Sequence, residues 1–384
     1  MRRECGRCSV ISLFSGLGGL DLGFEQAGYH ILFSSDVSAN ATSSYEINFG
    51  RPSTCADIRA LSPSALPEAD VVIGGPPCQS FSLVGKRHPG DERGQLVFRF
   101  LDVIRAMHPR AFVMENVPGL AASRVEGVRL TDVLRGSFEE EGYFVTVMKL
   151  TASDFLVPQR RKRVFIVGCR DRPVPVPDPR RFARERYGVT GKDVDISARA
   201  AIGDLGPCVA KGERAPYSGR AVTLFAKLMR AHEPAGGPTL HECPRMSATD
   251  SEIVRHVPPG GNYRDIPDEI APGRVLKFKK TGGRTTTYGR LHPDKPAYTI
   301  NTYFRRPNVG CNFHYEQPRL ITPREAMRFQ SLPDHFELRY GSQDERNALI
   351  GNAVPPLLAE AIAWTVKEAL NGRTCELPLL FCGS

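Results

Sequence analysis

No stretch of the 384-residue chain approaches the eighteen or so consecutive apolar residues of a spanning helix. Its start, Met1-Arg2-Arg3-Glu4-Cys5-Gly6, carries charge without an apolar core and so lacks the pattern of a secretory signal. Ten cysteines without an export signal are expected to be reduced thiols in a cytoplasmic protein. Metal spacing is also missing. Cys5-Gly6-Arg7-Cys8 is half a zinc site with no second pair nearby, and His232, His241 and His256 have no ligand spacing with one another. Tryptophan is nearly absent; the one residue, Trp364, lies on an apolar terminal helix as core. No internal repeat is present. Acids are scarce in one place above all. Residues 271–310 hold Arg274, Lys277, Lys279, Lys280, Arg284, Arg290, Lys295, Arg305 and Arg306 against Asp294 alone, a net of +8 in a chain of net +9.

Hydrophobic residues at 41% and charged residues at 24% exclude wholesale disorder. Strand-like runs cover Val10–Phe14, Ile31–Asp36, Val71–Gly74, Ala111–Glu115, Tyr143–Leu150 and Val164–Gly168, with helix-like stretches between them. Continuous apolar runs with turn residues at their carboxyl ends suggest buried parallel strands joined by helical crossovers, an α/β doubly wound sheet. Ligands then sit beyond the carboxyl ends of the strands. From Arg172 the composition changes, with Pro173, Pro175, Pro177 and Pro179 alternating. The sequence predicts one domain from 1–173 and 342–384, and a smaller irregular domain over 174–341. The basic 271–310 stretch interleaves its cations with Phe278, Tyr288, Tyr298, Tyr303 and Phe304, as a polyphosphate-binding surface needs; a solvated basic face over buried rings is the alternative.

Phe14-Ser15-Gly16-Leu17-Gly18-Gly19 follows the first strand, and its glycines let a nucleotide-like cofactor approach the backbone. A dinucleotide turn would carry glycine at 21, where Asp21 stands, which disfavours a nicotinamide oxidoreductase. Asp36 is placed to accept from ribose hydroxyls. Asp57-Ile58 offers an acceptor for an adenine amino group beside an apolar wall; for each acid a surface-loop or capping role stays open. Gly74-Gly75-Pro76-Pro77-Cys78-Gln79-Ser80-Phe81-Ser82 is more specific. Two prolines stiffen a turn that holds Cys78 at the mouth of the sheet, where a nucleophile is favoured over a core cysteine. Its thiolate needs positive surroundings, which Gln159-Arg160-Arg161-Lys162-Arg163 could supply, Arg161 and Arg163 falling on one face of an extended segment. Glu115-Asn116-Val117-Pro118 ends another strand. Burial there would favour the protonated carboxyl, fit to donate to a ring nitrogen.

Together these residues resemble the cytosine-5 DNA methyltransferases, in the family's order and over nearly the whole chain. Phe14–Gly19 looks like the first cofactor motif, followed by Asp36 and Asp57; Gly75–Ser82 matches the proline-cysteine loop, Glu115-Asn116-Val117 the acid motif and Gln159–Arg163 the arginine motif. Arg319-Leu320-Ile321-Thr322-Pro323-Arg324-Glu325-Ala326 through Arg328, Gln330 and Pro333 resembles the motif that organises the small domain. Gly351-Asn352-Ala353-Val354-Pro355-Pro356 resembles the last motif, which returns to the cofactor pocket. Two departures are small: Asp36 replaces a more usual glutamate, and alanine rather than glycine precedes Asp57.

The resemblance implies a Rossmann-like methyltransferase domain binding S-adenosylmethionine through Phe14, Ser15, Gly16, Leu17, Gly18, Gly19, Asp36, Val37, Asp57, Ile58, Gly75, Pro76, Asn352 and Ala353. It implies catalysis by Cys78, Glu115, Arg161 and Arg163, the two arginines gripping a flipped-out nucleotide. Gln79, Ser82, Arg284, Arg290, Thr299, Arg305 and Arg306 are the expected contacts to duplex DNA, and 174–318 the variable target-recognition region. A monomer is expected, modifying the site of a cognate restriction endonuclease without forming a complex with it. The rivals are an RNA (tRNA) cytosine-5 methyltransferase of the same lineage and, from another class, a non-catalytic DNA-binding module, which would be expected to lack Cys78 or Glu115.

Overall fold

The protein is represented by a computed structural model that describes residues 7–77, 95–125, 127–190, 193–339 and 341–372. It divides into two compact units. One is Met1–Phe155, Lys162–Gly191 and Val354–Ser384; the other is Leu156–Arg161 and Lys192–Ala353.

The first unit is built on seven strands: β1 (Ser9–Leu13), β2 (His30–Asp36), β3 (Thr54–Cys55), β4 (Val71–Gly74), β5 (Ala111–Asn116), β6 (Phe144–Thr151) and β7 (Lys162–Cys169). Their order in the sheet is β3-β2-β1-β4-β5-β7-β6. β4 and β5 are buried along their whole length, as the Val/Ile/Phe runs require of strands covered on both faces. On one face the helices Gln95–Met107 and Leu130–Glu140 bring Phe100, Ile104, Leu134 and Phe138 against Ile11, Val72, Phe112 and Ile166. Ser12 and Asp21, bonded at 2.9 Å, hold the helix Gly19–Gln26 on the other face. Chain order runs 3-2-1 and then 4-5 outward from β1, so the direction of winding reverses between β1 and β4. That is the switch point where a ligand crevice opens.

Strands β1 to β5 pair in parallel, but β7 runs antiparallel to both neighbours, which corrects the expectation of parallel runs throughout. The connection from β6 to β7 spans only residues 152–161. A parallel return needs a crossover of a dozen residues or more, so a short connection reverses the strand.

The boundaries differ from those expected at 173/174 and 341/342. The helix Pro179–Tyr187 belongs to the sheet unit: Arg186 Nε and Tyr187 Oη donate to Glu360 at 2.5 and 2.6 Å, and the Phe182 ring lies 6.3 Å from Trp364. Residues 156–161 belong instead to the second unit, where Gln159 Nε2 donates to the Phe329 carbonyl at 2.8 Å.

The second unit has short helices and two-stranded pairings, Gly289–Arg290 with Cys311–Phe313 and Ala297–Tyr298 with Gln159–Arg160. Buried charge organises it. Arg319 forks onto Glu325 at 2.7 and 2.8 Å, and Arg328 onto Asp334 at 2.6 and 2.9 Å. The Arg319 fork holds the Glu325 carboxyl down at about 2 against its burial. Thr322 and Glu325 close a capping box on the helix Pro323–Phe329.

The helical stretch Gln343–Asn371 is long and apolar enough to span a bilayer, but 89% of its most apolar window is buried inside the protein. It is also two helices, Gln343–Asn352 and Pro356–Asn371, broken at Pro355. The longer has 16 residues, short of the roughly 20 that a bilayer requires.

Candidate active site

In the sheet unit, the turn after β1 is shaped by its own backbone. Phe14, Gly16 and Gly18 take positive φ of 56°, 55° and 78°. Gly18 caps the helix Gly19–Gln26 from the left-handed region, where a side chain would be strained and would meet the Phe49 ring at 2.3 Å. Ser15 and Gly18 amides donate to the Ser35 and Ser15 carbonyls at 3.0 and 2.8 Å. Asp36, at the end of β2, accepts from the Gly16 and Ser38 amides at 2.9 Å each, so it fixes the turn while keeping lone pairs for further donors. Burial pushes its carboxyl above the usual range. Leu17 is buried, whereas Val37 exposes 70% of its surface.

This crevice fits S-adenosylmethionine. Ser15 Oγ is buried with no partner among the described residues, and nothing lies within 4 Å of where a Gly16 Cβ would stand. A donor oxygen, an open backbone and a carboxylate with spare lone pairs suit the amino-acid and ribose groups of such a ligand.

Two expected contacts have partners within the protein. Arg59 donates to Asp57 Oδ2 from Nε at 3.0 Å and Nη2 at 2.6 Å, and this hydrogen bonding lowers the Asp57 pKa. Ile58, 5% exposed, packs in the core with Ile11 and Val72.

Glu115 and Asn116 end β5 beside the start of the proline loop. Asn116 Nδ2 donates to the Pro76 carbonyl at 2.9 Å, and a Cβ on Gly75 would stand 3.0 Å from Glu115 Oε2. Any larger residue at 75 would crowd the carboxylate. Glu115 is buried and paired through Oε1 with Arg163 Nε at 2.7 Å. Burial keeps the Arg163 pKa below its usual value, and Glu115 works against that shift. Cys78, Gln79 and Ser82 lie outside the described residues.

Arg161 and Arg163 have different partners. Arg163 belongs to the sheet unit. Arg161 belongs to the other, fully buried, its Nη1 and Nη2 donating to the Ile300 and Gly351 carbonyls at 3.0 and 2.7 Å. A guanidinium enclosed by backbone carbonyls cannot also grip a nucleotide, so the shared-face expectation fails for Arg161. Asn352 and Ala353 also fall in the second unit, at the end of the helix Gln343–Asn352. The next residue of that motif, Val354, lies in the sheet unit. Its carbonyl lies 2.2 Å from where a Gly19 Cβ would stand, so the Gly-Asn-Ala-Val-Pro-Pro segment meets the cofactor turn through Val354. Asn116 was read only as part of the acid motif; its bond to the Pro76 carbonyl was not foreseen.

In the second unit a cavity of about 750 Å³ is lined by Arg274, Phe278, Arg284, Tyr298, Thr299 and Asn308 among others. Thr299 Oγ1 donates to the Arg160 carbonyl at 3.0 Å. The expected DNA contacts divide here. Arg284 and Arg306 are exposed, Arg306 lying 4.9 Å over the Tyr303 ring. Arg305 is paired with Asp344, Nη2 to Oδ2 at 2.9 Å. Arg290 is buried at 8% exposure and donates to the Val254 carbonyl, and desolvation lowers its pKa. Arg290 is therefore structural, which corrects its placement among the contacts. Among the described residues no group of three or more metal-ligating side chains occurs.

The 3-2-1-4-5-7-6 sheet with its reversed last strand but one, the cofactor turn beside Asp36 and the family match over most of the chain define an S-adenosylmethionine-dependent methyltransferase. Residues 8–368 match the family described as C-5 cytosine-specific DNA methylase, and the chain belongs to that family. It is 34% identical over 373 residues to the Type II methyltransferase M1.HphI of Haemophilus parahaemolyticus, covering 94% of this chain and 87% of the relative. With M.AgeI of Thalassovita gelatinovora it shares 30% identity over 431 residues, covering 94% of this chain and all of the relative. Among solved structures, a DNA modification methyltransferase from an E. coli prophage superposes with a TM-score of 0.64 at 23% identity, over 95% of this chain and 99% of that one. The Dnmt2 methyltransferase of S. pombe gives 0.61 at 15% identity, over 95% and 99%.

Proposed function

We propose that this DNA cytosine-5 methyltransferase works through Cys78 and Glu115 on a cytosine swung out of duplex DNA. It would protect a host's DNA at the site of a cognate restriction endonuclease that it does not bind, acting as a monomer in the cytoplasm. The supporting observation is the join of the acid motif to the proline loop: Asn116 holds Pro76, and Gly75, three residues before Cys78 in the sequence, lies against the Glu115 carboxylate.

Cytosine C5 is too weak a nucleophile to be methylated directly. Addition of the Cys78 thiolate to C6 forms an S–C bond and moves the ring's electron pair towards C5 and N3, where Glu115 meets the growing charge with a proton or hydrogen bond. Arg163 is a positioning residue, paired with Glu115 through Oε1. S-adenosylmethionine, when bound, supplies the sulfonium methyl that C5 accepts; Ser15, Gly16 and Asp36 would hold it, with Val37 exposed alongside. Loss of the C5 proton then restores the aromatic ring and releases the thiol. The target must leave the stack, because C6 is shielded within it. The second unit is the target-recognition domain in this reading, and Thr299 lies near the phosphate of the flipped nucleotide.

Transfer of a labelled methyl group to unmethylated duplex DNA, beside a transfer RNA control, tests the reading. The wild type should label duplex, and Cys78→Ser should abolish turnover. Near-wild-type activity of that variant would exclude Cys78 as nucleophile, and labelling confined to the RNA would change the substrate class.

A further inference from the structure

The cavity of the second unit is too large and too mixed for a phosphate site. At about 750 Å³ it has room for a base edge, and its lining combines two guanidiniums with rings, hydroxyls and amides. Arg274 is exposed, with its Cζ 5.1 Å over the Phe278 ring. Arg284 is exposed too, and follows Gly282-Gly283 at the end of the helix Gly273–Thr281. Gly283 lies flat on the Phe278 ring, since a Cβ there would stand 2.7 Å from Cγ. That close approach brings Arg284 to the cavity wall alongside Thr286, Tyr298 and Asn308. Elsewhere in the basic stretch Arg290 is spent on a buried carbonyl, and Arg305 and Lys279 on Asp344 and Asp268.

We infer that Arg284 is a specificity-determining residue, and that it reads a guanine in the recognised sequence through O6 and N7 in the major groove. The planar guanidinium fork matches that acceptor pair, and this is the commonest specific contact of arginine with DNA. The inference rests on the proposed duplex substrate and deepens it: the site methylated contains at least one guanine besides the target's partner, and one cation of the basic stretch reads it.

The test is methylation of a duplex library randomised around the wild-type site, read by bisulfite sequencing, for the wild type, Arg284→Ala and Arg284→Lys. Arg284 is exposed, so neither variant threatens the fold. Both should relax selection at one G·C position by roughly ten- to a hundredfold and leave the other positions selective. Lysine keeps the charge but lacks the fork, so it should fail as alanine does. Replacing that guanine by 7-deazaguanine, which removes N7, should slow the wild type and leave Arg284→Ala unchanged. A uniform loss across all sequences would make Arg284 a phosphate contact and overturn the inference, as would retained selectivity in Arg284→Lys. A wild type that methylates no duplex overturns the proposed function and this inference together.

Discussion

Asp21 stands where a dinucleotide turn has its third glycine, and its environment shows what it does instead. It is fully buried, and its oxygens accept from Ser12 Oγ and Tyr45 Oη at 2.9 Å each, tying the helix Gly19–Gln26 to β1 and to the helix Ala39–Phe49. Burial outweighs those bonds and the Arg51 charge, and raises its pKa from 3.8 to about 6. A raised carboxyl binds its proton more tightly folded than unfolded. Its contribution to stability is therefore complete below pH 3.8 and is lost as pH rises to about 6. Asp21→Asn keeps the shape and removes the titration. The variant should gain on the wild type across that window, approaching at most about 3 kcal/mol at neutral pH. Urea denaturation at several pH values measures the difference, and a pH-independent gap would show that Asp21 does not titrate in this window. The carboxylates of the second unit behave oppositely: Arg319 and Arg328 hold Glu325 and Asp334 ionised, and their stabilisation is lost as pH falls. Only the comparison of variant with wild type isolates Asp21.

Elements meet closely only where the side chains permit it. Gly23 is buried in the helix Gly19–Gln26, and a Cβ there would stand 2.4 Å from the Ala359 Cβ and 2.6 Å from the Pro356 carbonyl of the helix Pro356–Asn371. Gly23→Ala gains helix propensity but drives the two helices apart. The expected net loss is about 1–3 kcal/mol of unfolding free energy. Ala359→Gly in the same chain should recover part of it, and additivity of the two changes would mean that the helices do not touch there. This contact was not legible in the sequence, because the partner helix is more than three hundred residues away. Local information carried further elsewhere. The apolar runs of β1, β2, β4 and β5 and the turns after them were readable, because buried parallel strands have that composition. The direction of β7 was not readable from its composition, which suits either orientation; only the short connection before it decides. The site divides the same way. Glu115 was legible from its position at a strand end. Arg161 and Arg290 have the residue types of ligand contacts, and only three-dimensional burial shows them donating to backbone carbonyls.

Across the whole molecule, the basic surplus is smaller in effect than its formal count. Of the nine cations in 271–310, Arg290 is buried, and Arg305 and Lys279 are paired with Asp344 and Asp268. Arg274, Lys277, Lys280, Arg284, Lys295 and Arg306 are exposed, Arg274 and Arg306 each over a ring. Only exposed cations displace counterions from DNA at little cost, because a paired one must first give up its partner. Replacing Lys277, Lys280 and Lys295 together by glutamine should weaken duplex binding uniformly over sequence. The slope of log affinity against log salt should fall by up to about 3, close to one for each phosphate that is no longer neutralised. Gly23 and the cofactor turn lie in the other unit, so thermal stability and S-adenosylmethionine binding should not change. Binding curves at several salt concentrations give the slope directly. An unaltered slope would place the DNA-binding face outside this stretch, and a change in sequence preference would make these lysines readers of bases, with Arg284 no longer separate from them.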